Sequence, residues 1–194
     1  MFSGIIRHTG KINKIYRKNN NCNIEILSKM KFTTLELGSS ISCSGACLTL
    51  EKYKNGLSKF YISKETLNRT NFKYMAKADL INLEKSMKFG ERISGHFVQG
   101  HVDTTSIIKK INFIGKSWFI SFKLSRKYNK YIIQKGSIAI NGVSLTVSKI
   151  LDDGFQVVVI PQTLKLTNLI HLKEKDVVNV EFDVLGKYIN KSLK

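Results

Sequence analysis

The sequence predicts an all-β protein of two similar, small antiparallel barrels, joined by a short linker and followed by a short helix. Three observations predict it. The chain repeats itself once, its apolar residues fall in short strand-like runs, and turn signals separate those runs at close intervals.

The repeat comes first because it sets the domain count. Gly45-Ala46-Cys47-Leu48-Thr49 laid over Gly142-Val143-Ser144-Leu145-Thr146 gives an offset of 97 residues (142 minus 45). At that offset Thr66-Leu67-Asn68-Arg69-Thr70-Asn71 meets Thr163-Leu164-Lys165-Leu166-Thr167-Asn168, and residues 79–84 meet 176–181. Between positions 40 and 84 thirteen of forty-five ungapped pairs are identical, where composition alone gives roughly three. Gly4-Ile5-Ile6 matches Gly100-His101-Val102 at an offset of 96 (100 minus 4), so one residue was gained between the anchors. A period this long suits two small domains rather than a solenoid. The expected units are residues 1–86 and 97–185, with 87–95 as linker. With Leu185, the tail 186–194 spaces Tyr188, Ile189 and Leu193 as one apolar face of a short helix.

Within each unit the pattern reads as strands. Asn21-Cys22-Asn23-Ile24-Glu25-Ile26 alternates polar and apolar residues, as does Ser121-Phe122-Lys123-Leu124 in part. Phe60-Tyr61-Ile62 and Val157-Val158-Val159-Ile160 are short runs of β-forming residues, and Pro161 closes the second. Asn55-Gly56, Asn141-Gly142 and Asp152-Asp153-Gly154 mark turns. Closing such short strands into a barrel removes exposed edges. A brief helix is expected over 126–134, before Gly136.

Composition bounds the rest. The 194 residues are 42% hydrophobic and 24% charged, an ordinary globular mix. No apolar run approaches the roughly 18–20 residues of a membrane-spanning helix, and the N-terminus has no secretory pattern. No membrane partner is expected. Cys22, Cys43 and Cys47 are odd in number and unclustered, which argues for a reduced, cytosolic setting without disulfides or structural zinc. Thirty-two basic against 14 acidic residues gives a net charge of +18. The lysines and arginines are scattered in short bursts rather than gathered in a stripe, so a nucleic-acid partner is not expected.

Strand parity narrows the candidate chemistry. Cys47 and Thr49 share one face of their strand and Leu48 the other, as do Ser144 and Thr146 around Leu145. If the leucines point inward, each unit presents two small polar groups beside a glycine turn, a surface suited to a flat heterocycle. The units differ where Cys47 faces Ser144 and Ile5 faces His101, placing a thiol in one and a hydroxyl with an imidazole in the other. His101 and Asp103 share parity, so the carboxylate could orient the ring, whereas His96 and His101 point apart and make a poor metal pair. No phosphate loop, dinucleotide fingerprint, hydrolase elbow or zinc pattern is present. The residues themselves favour a reaction without a cofactor, or ligand binding alone.

Met1-Phe2-Ser3-Gly4-Ile5-Ile6, Gly95-His96-Phe97-Val98-Gln99-Gly100-His101-Val102-Asp103 and Lys135-Gly136-Ser137-Ile138-Ala139-Ile140-Asn141-Gly142-Val143-Ser144-Leu145-Thr146-Val147 resemble the riboflavin synthases of the α-chain type. The resemblance spans essentially the whole chain. It implies two six-stranded Greek-key barrels with a C-terminal helix, assembled as a homotrimer. The implied reaction is the dismutation of two molecules of 6,7-dimethyl-8-ribityllumazine to riboflavin and 5-amino-6-(D-ribitylamino)uracil by transfer of a four-carbon unit, with no cofactor and no metal. Association with lumazine synthase is a further partner it allows.

The same resemblance assigns residues. It gives the N-barrel pocket Gly4, Ile5 and Ile6 with Cys47, Leu48 and Thr49, joined by Tyr61, Ile62, Ser63, Lys64, Glu65 and Thr66. The C-barrel pocket takes Gly100, His101 and Val102 with Ser144, Leu145 and Thr146. Val158, Val159, Ile160, Pro161, Gln162 and Thr163 complete it, with Lys135 nearby. Catalytic roles fall to Cys47 or a water as nucleophile, and to His101, Ser144 and Thr146 for protons. Ser44, Ser94 and Gln162 depart from the usual pattern without touching these four. An antenna protein of the same fold, binding lumazine without turning it over, and a basic nucleic-acid-binding barrel are the alternatives.

Overall fold

The computed structural model describes residues 1–18 and 21–192. Twelve strands form two closed barrels among these residues. The first takes β1 (His8–Lys18), β2 (Asn21–Ser28), β3 (Ser40–Cys43), β4 (Ala46–Lys54), β5 (Leu57–Ile62) and β6 (Leu80–Lys85) in the order β1-β2-β5-β4-β3-β6. The second repeats this with β7 (Thr104–Ile114), β8 (Ser117–Lys123), β9 (Ser137–Ile140), β10 (Val143–Leu151), β11 (Gly154–Val159) and β12 (Val177–Phe182). A short helix follows the fifth strand of each barrel, α1 (Lys64–Arg69) and α2 (Pro161–Leu166), and α3 (Val184–Ser192) ends the described chain. The strands are all antiparallel. The all-β, two-barrel architecture with a terminal helix is therefore present.

Equivalent irregularities close the two barrels. The register shifts between Ile12 and Lys14 and between Leu50 and Lys52 recur between Ile108 and Lys110 and between Val147 and Lys149. A bulge bends and coils its strand, and closing a six-stranded sheet needs such bends at matched places. Each barrel has its own core, the first around Ile24, Ile26, Leu48, Leu50 and Phe60, the second around Phe122, Ile138, Leu145 and Phe155.

Two details of the prediction change. Residues 126–134 do not form an α-helix: a 3-10 turn covers Arg126–Tyr131, as i to i+3 bonds suit so short a stretch. The terminal helix begins two residues earlier than expected, at Val184, and Leu193 and Lys194 lie outside the described residues.

The barrels meet about an approximate twofold axis, and contacts across it are reciprocal. The turns Ser44-Gly45 and Asn141-Gly142 touch: a Cβ on Gly45 would lie 2.8 Å from the Gly142 nitrogen, and one on Gly142 2.7 Å from that of Gly45. Glycine is needed at both for this approach and for φ of +85° and +77°. The Asn82 amide donates to the Asn141 carbonyl (2.9 Å), and that of Asn179 to the Ser44 carbonyl (2.8 Å). The side-chain oxygen of Asn82 accepts from the Asn168 backbone and that of Asn179 from the Asn71 backbone, both at 2.7 Å. Phe2 and Val98, both fully buried, exchange backbone bonds of 2.7 and 3.0 Å.

Candidate active site

The segments entering each barrel run first onto the other barrel. Ser144, at the start of β10, donates its backbone N–H to the Gly4 carbonyl at 2.8 Å, and Ile6 is buried in the second core. Reciprocally, Cys47 at the start of β4 donates to the Gly100 carbonyl at 2.7 Å, and Val102 is buried in the first core. The pocket grouping implied by the resemblance is thus crossed. Gly4, Ile5 and Ile6 belong beside Ser144, while Gly100, His101 and Val102 belong beside Cys47. The glycines permit this contact: a Cβ would stand 2.7 Å from the Ser144 Cβ at Gly4 and 2.6 Å from the Cys47 Cβ at Gly100. Both also have left-handed φ, +74° and +80°.

Side-chain alternation does the rest. Leu48 and Leu145 are buried in the two cores, Cys47 and Ser144 are half-buried, and Thr49 and Thr146 are exposed. Each entry therefore presents a small polar pair on the outer face of its barrel. Leu50 lies opposite Phe60 and Val147 opposite Val157. Antiparallel pairing then brings the ends of β5 and β11 to the starts of β4 and β10. Tyr61, Ser63, Lys64, Glu65 and Thr66 leave the first barrel beside Cys47 and Thr49, and Ile62 stays in the core. Val158, Ile160, Pro161, Gln162 and Thr163 leave the second beside Ser144 and Thr146, and Val159 stays in the core. Ser63 caps α1 by accepting from the Thr66 N–H at 3.2 Å, and Pro161 starts α2, where its missing N–H costs nothing. Lys135 is exposed, with its backbone tied to Val147 of β10 (2.8 Å).

The cradles differ in their titratable groups. His96 is buried, and its Nδ1 shares a 2.7 Å hydrogen bond with the Ser144 hydroxyl. Burial holds the imidazole below the ordinary histidine range, with Asp183 opposing weakly. His101 is exposed beside Gly100. The expected His101–Asp103 arrangement does not form. Asp103 accepts from the Phe182 N–H at 2.9 Å and pairs with Lys187 at 2.6 Å. All three cysteines are free thiols.

Sequence reasoning left out the residues that hold each entry segment. Glu84 of β6 accepts from the Ser3 N–H and hydroxyl, both at 2.8 Å, and from the Gly4 N–H at 3.1 Å. Glu181 of β12 accepts from Gln99 N–H at 2.6 Å and Gly100 N–H at 2.9 Å. Their signal was available, as one of the identities the repeat preserves. His96 has no partner in the first unit, because the offset of 96 carries it before residue 1.

Each of the twin barrels thus presents the same small polar pair on its outer face, beside an entry segment from the other half. Both halves match the lumazine binding domain, over residues 3–86 and 99–183. The riboflavin synthase of Actinobacillus pleuropneumoniae is 38% identical over 193 residues, covering 100% of this chain and 90% of that protein. That of Bacillus subtilis is 32% identical with the same coverage. LumP, solved in complex with riboflavin, superposes with a TM-score of 0.81 at 25% identity, covering 94% of this chain and 99% of LumP. The chain belongs to the riboflavin synthase family of duplicated lumazine-binding-domain proteins. Among the described residues no helix is long and apolar enough to cross a membrane.

Proposed function

We propose that this chain is a riboflavin synthase that converts two molecules of 6,7-dimethyl-8-ribityllumazine into riboflavin and 5-amino-6-(D-ribitylamino)uracil. The observation that carries the reading is the pair of equivalent cradles, each a glycine carbonyl docked on the turn of Cys47 or Ser144, in a chain whose relatives match it end to end. Two identical substrates need two similar sites, and holding both replaces a bimolecular encounter with a positioned one.

The unlike residues divide the chemistry. In one cradle the neutral His96 accepts a proton through the Ser144 hydroxyl, making that pair the base for a ring-methyl proton of the lumazine. Thr146 stands on the same face and binds the heterocycle edge. In the other, the Cys47 thiol or a water adds to the second ring, and the exposed His101 serves its proton traffic. The four-carbon unit passes between the bound rings, so cradles of unlike type must face each other. A homotrimer, with the first barrel of one subunit against the second of its neighbour, does this. The apolar face of α3, with Leu185, Tyr188 and Ile189 all more than half exposed, is suited to cover that assembly. The setting is cytosolic, consistent with three free thiols.

The test is to mix purified protein with the lumazine alone. Flavin fluorescence should appear at one riboflavin per two substrates consumed, with no added cofactor. A lumazine that binds and stays unchanged assigns the antenna role instead.

A further inference from the structure

We infer that Glu84 and Glu181 are positioning residues for the two cradles, each carboxylate setting the cradle on the opposite barrel. The inference deepens the riboflavin synthase reading and rests on it for its kinetic arm only.

The geometry forms two equivalent chains of contact. The Glu84 carboxylate holds the Ser3 and Gly4 amides, the Gly4 carbonyl holds the Ser144 amide, and Ser144 carries the hydroxyl bonded to His96. The Glu181 carboxylate holds the Gln99 and Gly100 amides, and the Gly100 carbonyl holds the Cys47 amide. Both carboxylates are buried, at 8% and 2% exposure, and neither makes an ion pair within 4 Å among the described residues. A buried unpaired carboxylate is a poor choice for stability alone. Its return is geometric. Two acceptor oxygens fix two successive N–H groups at once, at a glycine with left-handed φ. The bonds of each carboxylate reach the cradle through its glycine.

Ionisation links the clamp to pH. Burial pushes the Glu181 carboxyl up to about 7, against the amides of Gln99 and Gly100 and the charge of Lys187, with Asp103 adding to the rise. Burial raises Glu84 too, against bonds from Ser3 and Gly4. Protonation puts an O–H against an amide N–H, donor facing donor, and opens the clamp. The linkage sign runs the other way for folding. A carboxyl raised in the folded state favours folding at low pH, and that contribution is lost as pH rises from the unfolded carboxyl range toward 7. For these two carboxyls, acidification therefore loosens the cradle without itself costing folding stability.

The experiment uses full-length E84Q and E181Q, with E84D and E181D where a glutamine variant does not fold. Amide hydrogen exchange is read at Cys47 and Ser144, together with turnover across pH. E181Q should speed exchange at Cys47 roughly tenfold or more and leave Ser144 within about twofold, and E84Q should do the reverse. Wild-type kcat should fall on an acid limb near 7, and E181Q should lose that limb, keeping only the lower one that protonation of the His96 base sets, at a lower kcat while KM moves less. The aspartates, short by one methylene, should show the same crossed exchange pattern with the limb retained. Equal acceleration at both amides, or a change at the uncrossed one, overturns the inference. So does a limb near 7 that E181Q leaves in place. If wild type proves inactive, the exchange pattern still decides the positioning claim, and only the function reading falls.

Discussion

At the residue scale the outcome turns on the two unlike side chains at equivalent positions, Cys47 and Ser144. The Ser144 hydroxyl has a buried imidazole 2.7 Å away, and among the described residues no imidazole hydrogen-bonds the Cys47 thiol. His96→Gln keeps the size and one hydrogen bond but cannot take a proton, so kcat should fall about 100-fold while affinity for riboflavin stays close to wild type. Stability supplies a second reading. A histidine lowered by burial is neutral when folded, so its contribution is present above the ordinary histidine pKa and is lost as pH falls through the folded value. Thermal melts at acid and neutral pH should therefore diverge less in the variant. Cys47→Ser separates the two nucleophiles. Retained turnover assigns the addition to water, and a loss of about 100-fold or more assigns it to the thiol.

At the element scale the strands were legible and their docking was not. Alternation placed Leu48 and Leu145 inside and Thr49 and Thr146 outside. Asn55-Gly56 and Asn141-Gly142 sit in turns at the left-handed φ that those residue pairs favour. The repeat equated Gly4 with Gly100, but equivalence holds whether an entry segment docks on its own barrel or the other one. Local pattern carries no information on that choice, so nothing in the residues could correct the grouping that the resemblance implied. The identities Asn71, Asn82 and Glu84, repeated as Asn168, Asn179 and Glu181, carried a signal of their own. A polar residue kept inside an apolar strand such as Leu80-Ile81-Asn82-Leu83 has to be satisfied somewhere, and here the partner is the other barrel. Asn82→Ala strands the Asn168 N–H and the Asn141 carbonyl in a buried interface. That should cost about 3 kcal/mol and lower the melting temperature by roughly 6–12 °C, as calorimetry can read. Exposed Asn68→Ala, on α1, should change it by less than about 2 °C.

At the scale of the whole molecule, the duplication has given one chain the interface of a symmetric dimer. Asn82 and Asn179, Asn71 and Asn168, and Gly45 and Gly142 make matching contacts across the axis. An interface of this kind is self-complementary, since each half presents the patch that the other half accepts. The first half on its own therefore carries both sides of it. In a twofold dimer of residues 1–86, Gly4 would dock on the partner copy's Cys47 turn, and Ile6 would fill the place that Val102 takes in the intact chain. Both are β-branched aliphatic residues that differ by one methylene, so the substitution keeps the volume close. That fragment should sediment as a dimer, and Asn82→Ala should shift it toward monomer. The dimer should bind riboflavin at two identical sites, each with Cys47 and neither with His96. It should not turn the lumazine over, because the base and its serine reside only in the half that was removed. Measurable catalysis by the fragment would mean that twin Cys47 cradles suffice and that the unlike second cradle is dispensable.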